Sequence, residues 1–208
     1  GQHMALVGIA VSSSVLVGLV LAMLMRRYAR LQKTAFSVLN FLQTIPSIAL
    51  FGLLLAPLAW LAESVPFLDQ LGVSGIGTTP ALIALIAYSL LPMVRNTYIA
   101  LEEVSPDTLE AAKGMGMRAG QRFWQVRLPL ALPVLLEGVR ITTVQAIGLT
   151  AVAALIGAGG LGTFIFQGLG QAAMDMVLLG ALPILILALV VDAGLGALAE
   201  ALRPEGTR

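Results

Sequence analysis

The run from Leu6 to Met25 carries no charged side chain, and about 20 apolar residues in a helix suffice to cross a hydrocarbon core about 30 Å thick. Runs of comparable length recur along the chain, set apart by short charged or glycine-rich stretches. This recurrence constrains the fold more than any other feature. Backbone in lipid must satisfy its own hydrogen bonds, and helices do so within one segment. Counting between charges places spans at about 6–25, 36–61, 79–100, 130–156 and 176–198. The second contains Pro46 and Pro57, so it is expected to be kinked or broken, and Pro92 is expected to interrupt the third. The composition agrees: 11% of the 208 residues are charged and the mean hydropathy is +0.94, whereas soluble domains carry about 25% charged residues. The predicted fold class is therefore an all-α integral membrane protein, a single domain over 1–208 with five transmembrane helices.

Where the charges fall sets the expected orientation. The chain has 12 Lys and Arg, and in this threading all of them lie on or near one side of the membrane. Loops on the other side hold Glu63, Asp69 and Asp175 and no base. The positive-inside rule then puts the N-terminus outside and the C-terminus in the cytoplasm, with the basic turn after the first span and the polar stretch 102–129 also cytoplasmic. Arg26, Arg27 and Arg30 follow the first run rather than preceding it, the reverse of a secretory signal, so a retained span is expected. With 0 Cys and 1 His, no metal site is predicted and cysteine chemistry is excluded. Ser12, Ser13 and Ser14 have no plausible base, so no catalytic residue is assigned.

The longest stretch that cannot sit in hydrocarbon runs from Glu110 to Pro129 and includes Lys113, Arg118, Arg122 and Arg127. Ser105, Pro106 and Asp107 before it have the pattern of a helix start, with an N-cap hydroxyl, proline at the first helical position and an acid near the positive end. Gly114 and Gly116 then permit a turn, and a second short helix carrying Arg118 and Arg122 is expected to end before Pro129. Such a knob reads either as a solvated loop or as a surface for a partner.

Glu110, Ala111 and Ala112, then Gly116, then Val126, Leu128 and Pro129 resemble the EAA signature of permease subunits in binding-protein-dependent ABC importers, with Val where Ile is usual. Further segments narrow the resemblance. Thr44 to Leu50, Leu91-Pro92 with Arg95-Asn96-Thr97-Tyr98, and Ile156 to Gly162 are similar to permeases of the osmoprotectant type, which import glycine betaine, carnitine or choline. Methionine-type permeases share the EAA loop and a similar glycine-rich segment and are the alternative within the class. The resemblance implies a type I ABC importer permease fold in a bacterial inner membrane. It also implies a docking turn at Glu110, Ala111, Ala112, Gly114 and Gly116 on a separate ATPase subunit, with Leu128 and Pro129 leading back into the fourth span. ATP and Mg would be bound on that ATPase, and no cofactor is expected on this chain. An extracytoplasmic substrate-binding protein and a second permease copy or paralogue would complete the assembly, in contact with membrane lipid; no nucleic-acid partner is expected.

Two further sets of residues were weighed. Gly157, Gly159 and Gly162 satisfy GxGxxG, but the pattern follows an apolar helical run rather than a strand, and the acids downstream, Asp175 and Asp192, are badly spaced for a dinucleotide site. A loop or re-entrant turn at Gly157, Gly159, Gly160 and Gly162 is the better reading, and the family resemblance implies a gate there. Glu137 and Arg140 lie one turn apart in the fourth span and Asp192 late in the fifth, all toward the cytoplasmic side. Charges at that depth are costly unless paired or facing a polar cavity, so a pairing among the three, or a place on the translocation path, is expected. The chain has no GK[ST] of a P-loop, since neither Lys33 nor Lys113 follows a glycine. An ATP-driven role therefore needs another chain. A passive channel or an intramembrane enzyme remains a competing class.

Overall fold

The computed structural model describes residues 1–70 and 72–203. Arg208 and the side chain of Asp69, both used in the charge count above, lie outside the described residues. Ten α-helices are described: α1 (Gln2–Arg27), α2 (Ala29–Thr44), α3 (Ser47–Ser64), α4 (Pro66–Gln70), α5 (Thr78–Glu102), α6 (Pro106–Gly114), α7 (Ala119–Arg122), α8 (Leu128–Ala153), α9 (Gly162–Gly170) and α10 (Met174–Ala201). Among them are five helical stretches long and apolar enough to cross a membrane: α1, α3, α5, the continuous 119–156 stretch containing α8, and α10.

The bundle is centred on α5 and α8. α1 packs along α5, α5 along α8, and α10 along both α8 and α9. The interfaces are built from small and branched residues: Ala81, Ala84 and Leu85 of α5 meet Ala10 of α1 and Phe51 of α3, while Ile147 of α8 meets Val7 of α1 and Val191 of α10. Small residues let helix backbones approach closely, which is what drives association when lipid is as apolar as the side chains. By contrast, Leu182, Leu185, Ile186, Leu189 and Val190 of α10 are exposed on the bundle surface, as expected of a helix that faces acyl chains.

The segment 36–61 is broken, as its prolines led one to expect, and in two other places the helices differ from the sequence expectation. The segment 36–61 is not one span but the end of α2 and most of α3, divided at Ile45–Pro46, where both residues are extended. Proline disfavours helical backbone in the residue before it, and the Ile45 carbonyl freed by the break accepts a hydrogen bond from the Tyr88 hydroxyl of α5. Pro57 and Pro92 leave α3 and α5 continuous. The second short helix of the polar stretch does not stop before Pro129: α7 passes through a π-helical turn at Phe123–Arg127 into α8, with the Leu128 N–H donating to the Phe123 carbonyl. Pro129 has no N–H and would crowd the carbonyl four residues back in a regular helix; the wider turn accommodates it without a break.

Candidate functional site

The knob formed by α6, α7 and the π turn is rooted in the bundle. Leu109 of α6, Phe123 of the π turn and Leu128 of α8 pack on a buried cluster of Ala100, Leu101, Val104, Ala131 and Leu135. Beside it, Arg26 at the end of α1 donates from Nε to Glu102 Oε1 at 2.6 Å, tying the C-terminal ends of α1 and α5 together. The knob is thus packed directly onto α5 and α8.

Ser105 precedes α6 and Pro106 opens it, but the Ser105 hydroxyl makes no cap hydrogen bond. The other end is closed by backbone alone. Met117 N–H reaches the Ala112 carbonyl at 3.2 Å, Gly116 N–H reaches the Lys113 carbonyl at 2.9 Å, and Gly116 has φ +82°. This is a Schellman closure, which needs a left-handed residue that glycine supplies without strain. Ala112 is buried, whereas Glu110, Ala111, Gly114 and Gly116 are exposed. Leu128 is half-buried and Pro129 exposed at the start of α8. Leu109, Glu110 and Lys113 on one helix face Arg122, Phe123 and Arg127 on the other across a cavity of about 420 Å³. Met115 and Trp124, 76% and 67% exposed, stand on the same knob. Large exposed apolar side chains among charges have the composition of a protein contact.

At the other end of the bundle, the glycine-rich loop follows the short 3₁₀ turn Ala154–Ile156 after α8. Ala158 N–H reaches the Ala153 carbonyl at 3.3 Å and Gly157 N–H the Ala154 carbonyl at 3.1 Å, a second Schellman closure with Gly157 at φ +81°. Gly159 and Gly160 also have positive φ. The loop is tied to its surroundings: Gly77 N–H donates to the Ile156 carbonyl at 2.7 Å, and Gly160 N–H to Gln2 Oε1 at 3.3 Å. At Gly162, a Cβ would land on the Ala151 backbone carbonyl.

Between these ends, Arg140 of α8 holds Asp192 of α10 in a two-point contact, Nε to Oδ1 at 2.7 Å and Nη2 to Oδ2 at 2.8 Å. Its Nη1 lies 3.4 Å from Glu137. The three residues singled out from sequence thus meet in one cluster, and the fork geometry is the strong form of an arginine–carboxylate contact. The knob, the glycine loop and this cluster are three separate places in the fold. Sequence reasoning passed over a fourth: Asn40, Gln43 and Gln145, isolated amides in apolar runs, gather near Arg95 and Asn96. Their signal was only that an amide inside a span wants a polar neighbour.

Five spans, three of them around a central pair, with a two-helix knob before the fourth span, are the architecture of an integral membrane component of a transport system. Residues 14–204 match the family described as binding-protein-dependent transport system inner membrane component, and the chain belongs to that family. It is similar to the osmoprotectant import permease protein OsmW of Salmonella typhimurium, 42% identical over 207 residues that cover 100% of this chain and 91% of the relative. The carnitine transport permease protein OpuCB of Listeria monocytogenes is 38% identical over 207 residues, covering 100% and 88%. The fold is that of the MetNI methionine ABC transporter in its inward-facing conformation, with a TM-score of 0.81 at 22% identity over 98% of this chain and 94% of that one. The type I importer permease fold expected from the resemblance is therefore present.

Proposed function

We propose that the chain is the permease subunit of an ATP-driven importer of quaternary ammonium osmoprotectants. The observation that carries the reading is the 42% identity, over the full length of this chain, to a permease named for osmoprotectant import. The carnitine permease points to the same chemistry, while the methionine transporter supports the fold alone. The knob at Glu110 to Gly116 docks on a separate ATPase subunit that binds ATP and Mg, and ATP binding there moves the knob. Because α5 and α8 carry the knob, its movement opens the membrane pathway to alternate sides. Two permease copies, or this chain and a paralogue, enclose that pathway, and an extracytoplasmic binding protein delivers substrate to the side bearing the glycine loop, which serves as a gate. The N-terminus lies outside and the C-terminus in the cytoplasm, in keeping with Arg26, Arg27, Arg30 and Lys33 after the first span.

Co-purification tests the assembly. An ATPase subunit should accompany the chain, and glycine betaine-loaded binding protein should stimulate ATP hydrolysis in the reconstituted complex. A channel or an intramembrane enzyme would need neither, so transport that proceeds without an ATPase overturns the reading. The substrate class is tested by a screen of the partner binding protein against glycine betaine, carnitine, choline and methionine; retention of methionine alone would return the chain to the alternative.

A further inference from the structure

Between α2, α5 and α8, the side chains of Gln43, Arg95, Asn96 and Gln145 line one cavity of about 260 Å³ with Leu91 and Pro92. Arg95 lies seven residues (102 − 95) before the end of α5, about 10 Å inside it at 1.5 Å per residue. An arginine at that depth ordinarily stretches toward the headgroups. Arg95 instead turns to α2 and donates from Nη2 to Asn40 Oδ1 at 3.0 Å, while remaining exposed. One of five guanidinium donors is thereby used. Two of the neighbouring amides spend a donor internally: Gln43 Nε2 on the Tyr88 carbonyl at 2.7 Å and Asn96 Nδ2 on the Pro92 carbonyl at 2.8 Å. Each retains its carbonyl oxygen. No acid lines the cavity among the described residues.

A charged, amide-rich wall contributed by three helices is expensive against lipid and is expected where a span faces water. Its chemistry is also one-sided. It offers a guanidinium fork suited to a carboxylate and, beside it, neutral oxygens suited to the polarised methyl groups of a quaternary ammonium. We propose that this cavity is a station on the translocation path, at which Arg95 takes the carboxylate of a zwitterionic osmoprotectant such as glycine betaine or carnitine. A quaternary ammonium cation with no carboxylate meets an unpaired guanidinium there and is held poorly. The proposal rests on the substrate class given under Proposed function.

The chain has 0 Cys, so a single introduced thiol reports on one position without background. In the assembled complex in lipid vesicles, Gln145→Cys should react with a charged, membrane-impermeant methanethiosulfonate. Leu185→Cys, on the exposed apolar face of α10, should react at least about tenfold more slowly. Glycine betaine should protect Gln145→Cys, choline at equal concentration should protect it much less, and adding Arg95→Gln should abolish protection while Arg95→Lys keeps part of it. Losing a charge-assisted hydrogen bond of about 1.5–3 kcal/mol corresponds to a rise of roughly tenfold or more in the concentration needed for protection. An unreactive Gln145→Cys, equal protection by choline, or betaine protection that survives Arg95→Gln each overturns the site. Failure of wild-type vesicles to take up either zwitterion overturns the substrate class instead, so the two failures are distinguishable.

Discussion

The two ends of the bundle carry the same local structure for opposite purposes. Gly116 closes α6 and Gly157 closes the turn after α8, each at φ near +80° and each with the paired backbone bonds of a Schellman closure. Around the glycine loop the space is taken: Gly160 lies against His3, Gly162 against the Ala151 carbonyl, and Gly159 against Gln2. Around the knob the space is empty: Gly114, Gly116 and Gly120 have nothing within 4 Å of where a Cβ would stand. Small residues in the first region permit packing inside one chain. In the second they leave a surface vacant, and a vacancy among charges and exposed Met115 and Trp124 is what a docking partner would fill.

Substitutions that add bulk should therefore separate the two regions. Gly162→Ala is expected to have the largest effect, because the added methyl meets backbone that cannot swing aside. Overpacking of this kind costs about 1–3 kcal/mol, and the upper end is expected. The measurement is thermal unfolding of the purified complex in detergent, read against yield in the membrane. A melting temperature equal to wild type would mean that α8 and α9 can slide apart and that the loop is not the closed region described here.

Arg140→Ala should follow. It strands Asp192 and Glu137 in the membrane between α8 and α10, and the expected result is reduced assembly, seen as a lower yield of permease with its partners. Uptake per assembled complex should keep its order of preference among substrates. Normal assembly with altered preference would move the cluster from a structural tie to the translocation path.

Gly116→Asp brings the comparison to the open region. No clash arises, and the left-handed backbone costs a non-glycine residue about 1–2 kcal/mol, less for Asp than for most, so the permease should remain in the membrane. The new charge stands on the turn proposed to dock on the ATPase, and substrate uptake should fall severalfold while ATP hydrolysis continues. Unchanged uptake would refute the assignment of this turn as the coupling contact.

How much of this was open to a reader of the sequence depended on the size of the signal. Charges in an apolar chain are loud: Arg26 to Lys33, Glu110 to Arg127 and the trio Glu137, Arg140 and Asp192 marked the spans, the knob and the ion pair before any coordinates. Prolines were ambiguous. Pro46 breaks its helix and Pro92 does not, although a side chain satisfies a freed carbonyl in each case, Tyr88 at Ile45 and Gln43 at Tyr88, so tertiary packing rather than the proline itself decides the outcome. The π turn before Pro129 was invisible for the same reason. The amides at Asn40, Gln43 and Gln145 were silent because each is one polar residue in a long apolar run, and their meaning comes from helices α2, α5 and α8 bringing Gln43 and Gln145 to one cavity with Arg95, which Asn40 holds.

The smallest expected effect is the sharpest test of the vacant surface. Gly114 is helical, at the last turn of α6, and an added methyl meets nothing within 4 Å. On the isolated permease, Gly114→Ala should be neutral or stabilising by about 0.5–1 kcal/mol, since alanine loses less backbone freedom than glycine in a helix. If the space is vacant for its own sake, the assembled transporter should share that small gain. If a partner's surface approaches the backbone there, the same methyl that stabilises the subunit should weaken its hold on the ATPase, measurable as a rise in the ATPase concentration needed to restore half-maximal uptake. A gain in one assay and a loss in the other is the signature of a residue kept small for another chain, and Gly162 on the opposite side of the membrane should not produce it.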